Sequence, residues 1–171
     1  MEKMSASGEF HVICYDENGN LKWEEKNHNL VMNVGIQYMA GTALTSTTQI
    51  TTWYIGLVTG PGSGTTYSAT DTIATKTWTE FTGYSQANRV TATLAAATNA
   101  NPSVVTNTAS VAVFSINASG TVAGAFLISN NTKGNTALGT LFSASDFTGG
   151  DRTVVSGDTL NVTYTFSLTA T

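Results

Sequence analysis

The stretch Thr159-Leu160-Asn161-Val162-Thr163-Tyr164-Thr165-Phe166-Ser167-Leu168-Thr169 decides the fold. Leu160, Val162, Tyr164, Phe166 and Leu168 take every second position, with Asn161, Thr163, Thr165, Ser167 and Thr169 between them. That two-residue period is a strand with one face turned inward and the other toward water or a partner. Gly157-Asp158 supplies the turn that launches it. Upstream, Arg89 to Leu94, Val111 to Ile116 and Thr121 to Ser129 are further strand signals bounded by turn residues, at a spacing that suits a sandwich or barrel. Asn117-Ala118-Ser119-Gly120 is expected to join the last two of these as a short hairpin loop. Thr52 to Val58 reads as a central strand, apolar on both faces, with Trp53 in the core. No repeat of 20 to 50 residues is present, which disfavours solenoids and propellers.

Nearer the start, Glu9 to Tyr15 sets Phe10, Val12 and Cys14 against His11, Ile13 and Tyr15, a strand covered at least in part on both faces. Asp16-Glu17-Asn18-Gly19 follows, and Asn-Gly offers the two positive-φ positions of a tight hairpin turn. Leu21 and Trp23 then alternate with Lys22 and Glu24 on the return strand. From Val31, apolar residues at 31, 34, 38 and 39 with Gly41 beyond them predict a short helix ending near Ala40, although Gly35 weakens it. Thr42 to Gln49 reads as a polar connector and Gly60-Pro61-Gly62-Ser63-Gly64 as a surface loop. Asp71 is expected to cap a single turn at Thr72 to Thr75. The expected architecture is all-β: a two-sheet sandwich with an N-terminal β-hairpin and one or two short helices. Residues 1–50 hold the hairpin and helix as an integral part, and residues 51–171 form the sandwich core.

Composition points the same way. A chain of 171 residues is one domain's worth. Only 11% of residues are charged, 41% are hydrophobic and 31 are threonine, which argues against a disordered tail, a coiled coil or a helix bundle and for strands and turns. The net charge of −4 lacks the clustered cations that release counterions from a phosphate backbone, so nucleic acid is not an expected partner. Charge is also unevenly spread. Nine of the eighteen charged residues lie between Glu2 and Lys26, and residues 27–70 and 90–132 contain none. Trp53 to Val58 and Val122 to Ile128 are far shorter than the roughly 18 apolar residues of a membrane helix. Met1-Glu2-Lys3-Met4-Ser5 lacks the basic-then-apolar pattern of a signal peptide, so synthesis in the cytoplasm without one is expected. Acceptor-like tripeptides at Asn117, Asn130 and Asn161 are what a chain rich in Asn and Thr produces by chance.

Catalytic and ligand-binding patterns are weak. Pro61-Gly62-Ser63-Gly64 is not the Gly-x-Ser-x-Gly of a hydrolase elbow, and the same loop lacks the Gly-Lys-Ser/Thr ending of a phosphate loop. His11, within a strand, reads as a packed or hydrogen-bonded residue, and His28 as a solvated one. With Cys14 they lack zinc-ligand spacing, so no metal or cofactor is expected. Cys14 itself reads as a small buried hydrophobe. Glu24, Glu25, Glu80, Asp146, Asp151 and Asp158 are the carboxylates available for acid–base work. Glu24 and Glu25 point to opposite faces of one strand. The three aspartates sit near glycines, where turn formation is the simpler account and calcium ligation the sharper one. The sequence therefore reads as a non-enzyme. Trp78, in Thr77-Trp78-Thr79-Glu80-Phe81, is the aromatic whose exposure is open, and on a surface it would offer a stacking face to a sugar.

The order Trp53-Tyr54-Ile55-Gly56-Leu57-Val58, Ala69-Thr70-Asp71-Thr72, Trp78-Thr79-Glu80, Tyr84 and Arg89 resembles small structural proteins of tailed bacteriophages. So do the opening hairpin followed by Asn29-Leu30-Val31 and Asn33-Val34-Gly35, and the Gly139-Thr140-Leu141-Phe142 segment before Gly157 to Thr165. The resemblance covers most of the chain through loose motifs without catalytic meaning. It implies a virion component: a capsid cement or decoration protein on the capsid exterior, jelly-roll-like in fold, contacting the major capsid protein and itself a dimer or trimer. Tail and fibre proteins share the style, and a carbohydrate-binding tail module is the alternative. The partner-binding residues expected are Met1, Lys3, Met4 and Glu9 on an N-terminal arm, with Met1 to Gly8 ordered only on binding, together with Trp78. Thr, Ser and Asn side chains suit such contacts, because they avoid the desolvation cost of ions and lose little conformational entropy.

Overall fold

A computed structural model describes residues 3–60 and 67–171; Met1, Glu2 and most of the Gly60–Gly64 loop lie outside the described residues. Twelve strands and one helix follow in the order β1 (Met4–Tyr15), β2 (Leu21–His28), β3 (Leu30–Val31), α1 (Asn33–Leu44), β4 (Trp53–Thr59), β5 (Thr79–Phe81), β6 (Val90–Ala92), β7 (Ser103–Thr106), β8 (Ala112–Ser115), β9 (Gly120–Ile128), β10 (Leu141–Asp146), β11 (Arg152–Val154) and β12 (Thr159–Ala170). They form two sheets in which every pairing is antiparallel. The first runs β2-β1-β12-β7, with β8 also on β12; the second runs β3-β10-β9-β4-β5, with β11 on β9 and β6 on β4. The chain is all-β with a two-sheet core, as its alternation predicts.

That core is the meeting of the inward faces. Phe10, Val12 and Cys14 of β1 and Leu160, Val162, Tyr164 and Phe166 of β12 bury against Ile55 and Leu57 of β4 and Val122, Ala125 and Leu127 of β9. Behind the second sheet, Met32, Val58, Ile73, Trp78, Phe126, Ile128 and Leu141 form a further apolar cluster. β4 and β9 are therefore apolar on both faces because both faces are covered. Trp53 is half-buried at the end of this layer, edge-on to Tyr38 and Phe142.

β1 and β12 pair along their whole length, from Met4↔Ala170 to Tyr15↔Thr159. The N-terminal hairpin is thus part of the first sheet, and residues 4–8, expected to order only on binding, already belong to a strand. The hairpin turn differs from the expected one. Within this turn only Gly19 has positive φ, at +82°, and among the described residues no residue other than glycine does; Gly19 N–H donates to Asp16 O while Asp16 N–H donates to Asn20 O. This is a three-residue loop with a left-handed glycine, chosen because Asp16 Oδ1 accepts from the Asn18 and Asn20 amides and stabilises the turn.

Other boundaries moved for identifiable reasons. The helix runs past Ala40 to Leu44, and Gly35, which lowers its propensity, is what lets it lie on the second sheet: a Cβ there would stand 2.6 Å from the Phe142 carbonyl oxygen. It is the single helix among the described residues; Thr72 to Thr75 is a turn, closed by the hydroxyls of Thr72 and Thr75. Asp71 instead accepts from Ser68 N–H. Asn117 to Gly120 is not a hairpin loop. β8 pairs with β12 and β9 with β4, β10 and β11, so the segment crosses between sheets, with Asn117 N–H held on Gly83 O.

Candidate docking surface

The uneven charge of the sequence becomes an uneven molecule. In the first sheet, β2 forms one edge, with exposed Lys22, Glu24 and Lys26. The opposite edge, β7 and β8, comes from the stretch without charge. Around it, Thr93, residues 95–102, Thr108 to Val111, Val113 and Ser115 are exposed, a face of hydroxyls, amides and small apolar groups.

This uncharged edge is closed to a further strand. Ala95 N–H and Thr98 N–H donate to Thr106 and Val104 carbonyls on the outside of β7. On the outside of β8, Gln86 Nε2 donates to Val113 O, its Oε1 accepts from Ser115 N–H, and Ser85 N–H donates to Ser115 O. Between the two strands, Asn107, fully buried, accepts from Tyr164 N–H at 2.6 Å and donates to Val162 O at 3.2 Å. Its side-chain amide stands in for the backbone missing where β7 stops and β8 has yet to begin. The edge is a flat surface for side chains.

The N-terminal end of β1 is different. β2 pairs with it from Glu9 to Tyr15, and Asn29 N–H reaches Gly8 O; toward residue 4 the outer side of β1 has no paired strand among the described residues. Beside it lies a groove of about 430 Å³ lined by Met4, Ala6, Leu168, Leu30, Ile36 and Met39 among others. Met4 is 76% exposed, Ile36 49% and Leu30 39%. The groove exists because β1 and β12, twelve residues each, overhang the short β3 of the other sheet. Of the residues expected to bind a partner, Met4 and Glu9 fall on this strand, Lys3 immediately precedes it with its backbone paired to Thr171, and Met1 lies outside the described residues. Trp78 does not join them. Its ring is 6% exposed, packed between Tyr67 and Phe126 with the Lys76 ammonium over it, so it offers no free stacking face. Leu30 and Ile36 were missed. Ile36 falls outside the apolar stripe 31, 34, 38 and 39, and that misfit was the available signal.

Most of the remaining candidate polar residues are tied down structurally. His11 Nε2 meets Glu24 Oε1 at 2.6 Å, and His28 is exposed. Cys14 is fully buried, and burial, reinforced by nearby Asp158, pushes its thiol up to about 12. Glu25, on the covered face opposite Glu24, pairs with Arg152 and accepts from Gly149 N–H. Asp158 holds Lys22 Nζ at 2.5 Å and accepts from Val155 N–H, making the turn into β12. Glu80 and Arg89 form a buried fork, Oε1 to Nε at 3.0 Å and Oε2 to Nη2 at 2.8 Å. Arg89 also donates to the carbonyls of Asn130 and Asn135. Burial followed by the charge of Asp151 raises the Asp146 carboxyl above its ordinary value. Among the described residues there is no group of three or more His, Cys, Asp or Glu placed to hold a metal. No described helix is long and apolar enough to cross a membrane. Comparison with protein-family models, curated proteins and solved structures finds no match to this chain.

Proposed function

We propose that this chain is a non-enzymatic structural protein of a tailed-bacteriophage virion: a cement or decoration protein, jelly-roll-like in its finer topology, that lies on the capsid exterior and braces neighbouring major capsid subunits. The observation that carries this reading is the division of the first sheet into a charged edge at β2 and an uncharged, hydroxyl-rich edge at β7 and β8. A broad contact through the second edge requires no ions to be stripped of water and immobilises few long side chains. The outward carbonyls of Val104, Thr106, Val113 and Ser115 are already taken by residues 95–98, Gln86 and Ser85, so docking there does not require a strand to be added. The phage-like motifs supply the setting. A copy touching two capsid subunits would hold them jointly, so modest single contacts add up to firm bracing. The glycan-binding alternative leaned on Trp78 as a stacking platform, and the burial of that ring counts against it.

The test is location followed by loss. Cryo-electron microscopy of native particles is expected to show the protein on the shell exterior, its β7–β8 edge against capsid subunits. Particles lacking it are expected to release DNA at lower temperature. Absence from purified particles, or unchanged resistance after its removal, overturns the reading.

A further inference from the structure

The hydrogen bonds of β1 alternate in direction, and this fixes what its open end can accept. Lys3 N–H donates to Thr171 O and Thr171 N–H to Lys3 O, so Lys3 and Thr171 form a hydrogen-bonded pair. With no register shift between β1 and β12, Ser5, Ser7 and Glu9 likewise spend their amides and carbonyls on β12, and the even residues turn theirs outward. Gly8 O obeys this, accepting from Asn29 N–H. Met4 and Ala6 obey it too, and among the described residues their outward N–H and C=O groups have no partner. The side chains of the same residues line the apolar groove.

We infer that a second copy of this chain occupies that edge, antiparallel about a two-fold axis through Ser5, with Met4 opposite Ala6 of the second copy. The register is self-complementary. Directly opposed residues must share a face, which requires even opposite even, and pairing 4 with 6 about Ser5 fits the short open length before Gly8 and Asn29 close the edge. Met4 N–H then donates to Ala6 C=O of the second copy and Ala6 N–H of that copy returns a bond to Met4 C=O, and the axis repeats the exchange. The first sheets of two molecules become one continuous sheet. Met4 of each copy closes over the apolar groove of Leu30, Ile36 and Leu168, removing from water side chains that are otherwise exposed. On the outer face, Lys3 falls diagonal to Glu9 of the second copy, within reach of long side chains, where it joins the Lys26 that already pairs with that carboxylate at 3.2 Å, and symmetry repeats the arrangement. A closed isologous contact of this kind stops at two copies. The inference stands independently of the capsid reading.

The alternation also gives the experiment. Ala6→Pro removes an outward donor and leaves the β12 ladder intact, since proline is tolerated at a strand edge whose N–H faces outward. Ile36→Glu places a charge in the groove without touching any strand, and decides the matter if the proline variant loosens the arm. Sedimentation velocity of the full chain from micromolar to millimolar concentration is expected to show a monomer–dimer equilibrium, weakened at least about tenfold by either variant. Hydrogen exchange is expected to protect the Met4 and Ala6 amides only in the dimer, and those of Ser5 and Ser7 in both states. A wild-type chain that stays monomeric throughout, or a dimer indifferent to both variants, overturns the inference.

Discussion

At the scale of single residues, the molecule invests its few charges in joints. Arg89 is buried with four acceptor atoms around it, two from Glu80 and one carbonyl each from Asn130 and Asn135. Glu80→Ala strands that guanidinium in the apolar interior, and equilibrium urea unfolding is expected to register a loss of about 3 to 5 kcal/mol. Asp146 works in the other direction. Its folded-state carboxyl titrates above the ordinary value, so the folded state binds its proton more tightly and the charge is a net cost at neutral pH. Asp146→Asn is expected to raise the thermal midpoint at pH 7, with the advantage shrinking as pH falls through the folded-state value and gone below the unfolded one. Thermal melts across pH 3 to 8 check this. A variant that gains nothing at neutral pH refutes it. Cys14 is expected to resist alkylation in the native protein and to react once the chain is unfolded in urea, because both burial and a raised thiol value deplete the thiolate.

Among the elements, legibility in the sequence followed how much of each answer was local. The alternation of β12 named its buried face correctly from Leu160 to Phe166, because a strand against a core repeats every two residues whatever its neighbours. The β1–β2 hairpin was legible for the same reason, whereas its turn type was not: Asp16 accepting two amides outweighs the Asn-Gly preference. Short strands such as β5, β7 and β11 left little trace, since three or four residues carry almost no period and their pairing is dictated by β4, β12 and β9. The crossing at Asn117 was illegible because a tight loop within a sheet and one between sheets use the same residue types. Asn107 shows what such tertiary demands look like in practice. Asn107→Ala is expected to leave a buried Tyr164 N–H and Val162 C=O unpaired and to cost about 2 to 4 kcal/mol by denaturant titration, with hydrogen exchange at Tyr164 accelerating first. The groove was half legible. Of its lining, Met4 is legible as a partner-binding residue, but Leu30 and Ile36 join it only because the sheets differ in length at that end, and Lys3 and Glu9 turn to the opposite face.

For the whole molecule, the partition of charge is the property that binds sequence to proposed role. Association through the β7–β8 edge is expected to change little between low and high salt, since no ion pairs are available there to screen. Binding to purified shells at graded ionic strength measures it, and a steep salt dependence would move the contact to the β2 side. The placement of β1 beside β12 has a mechanical consequence. Because Met4 and Ala170 are neighbours at one end of an antiparallel pair, tension applied through the two ends of the chain would part the rungs one after another, like a zipper, with no group of bonds sharing the load. The protein is therefore poor as a tether pulled from its termini, and any force it withstands in service has to enter sideways, through the broad faces of its sheets.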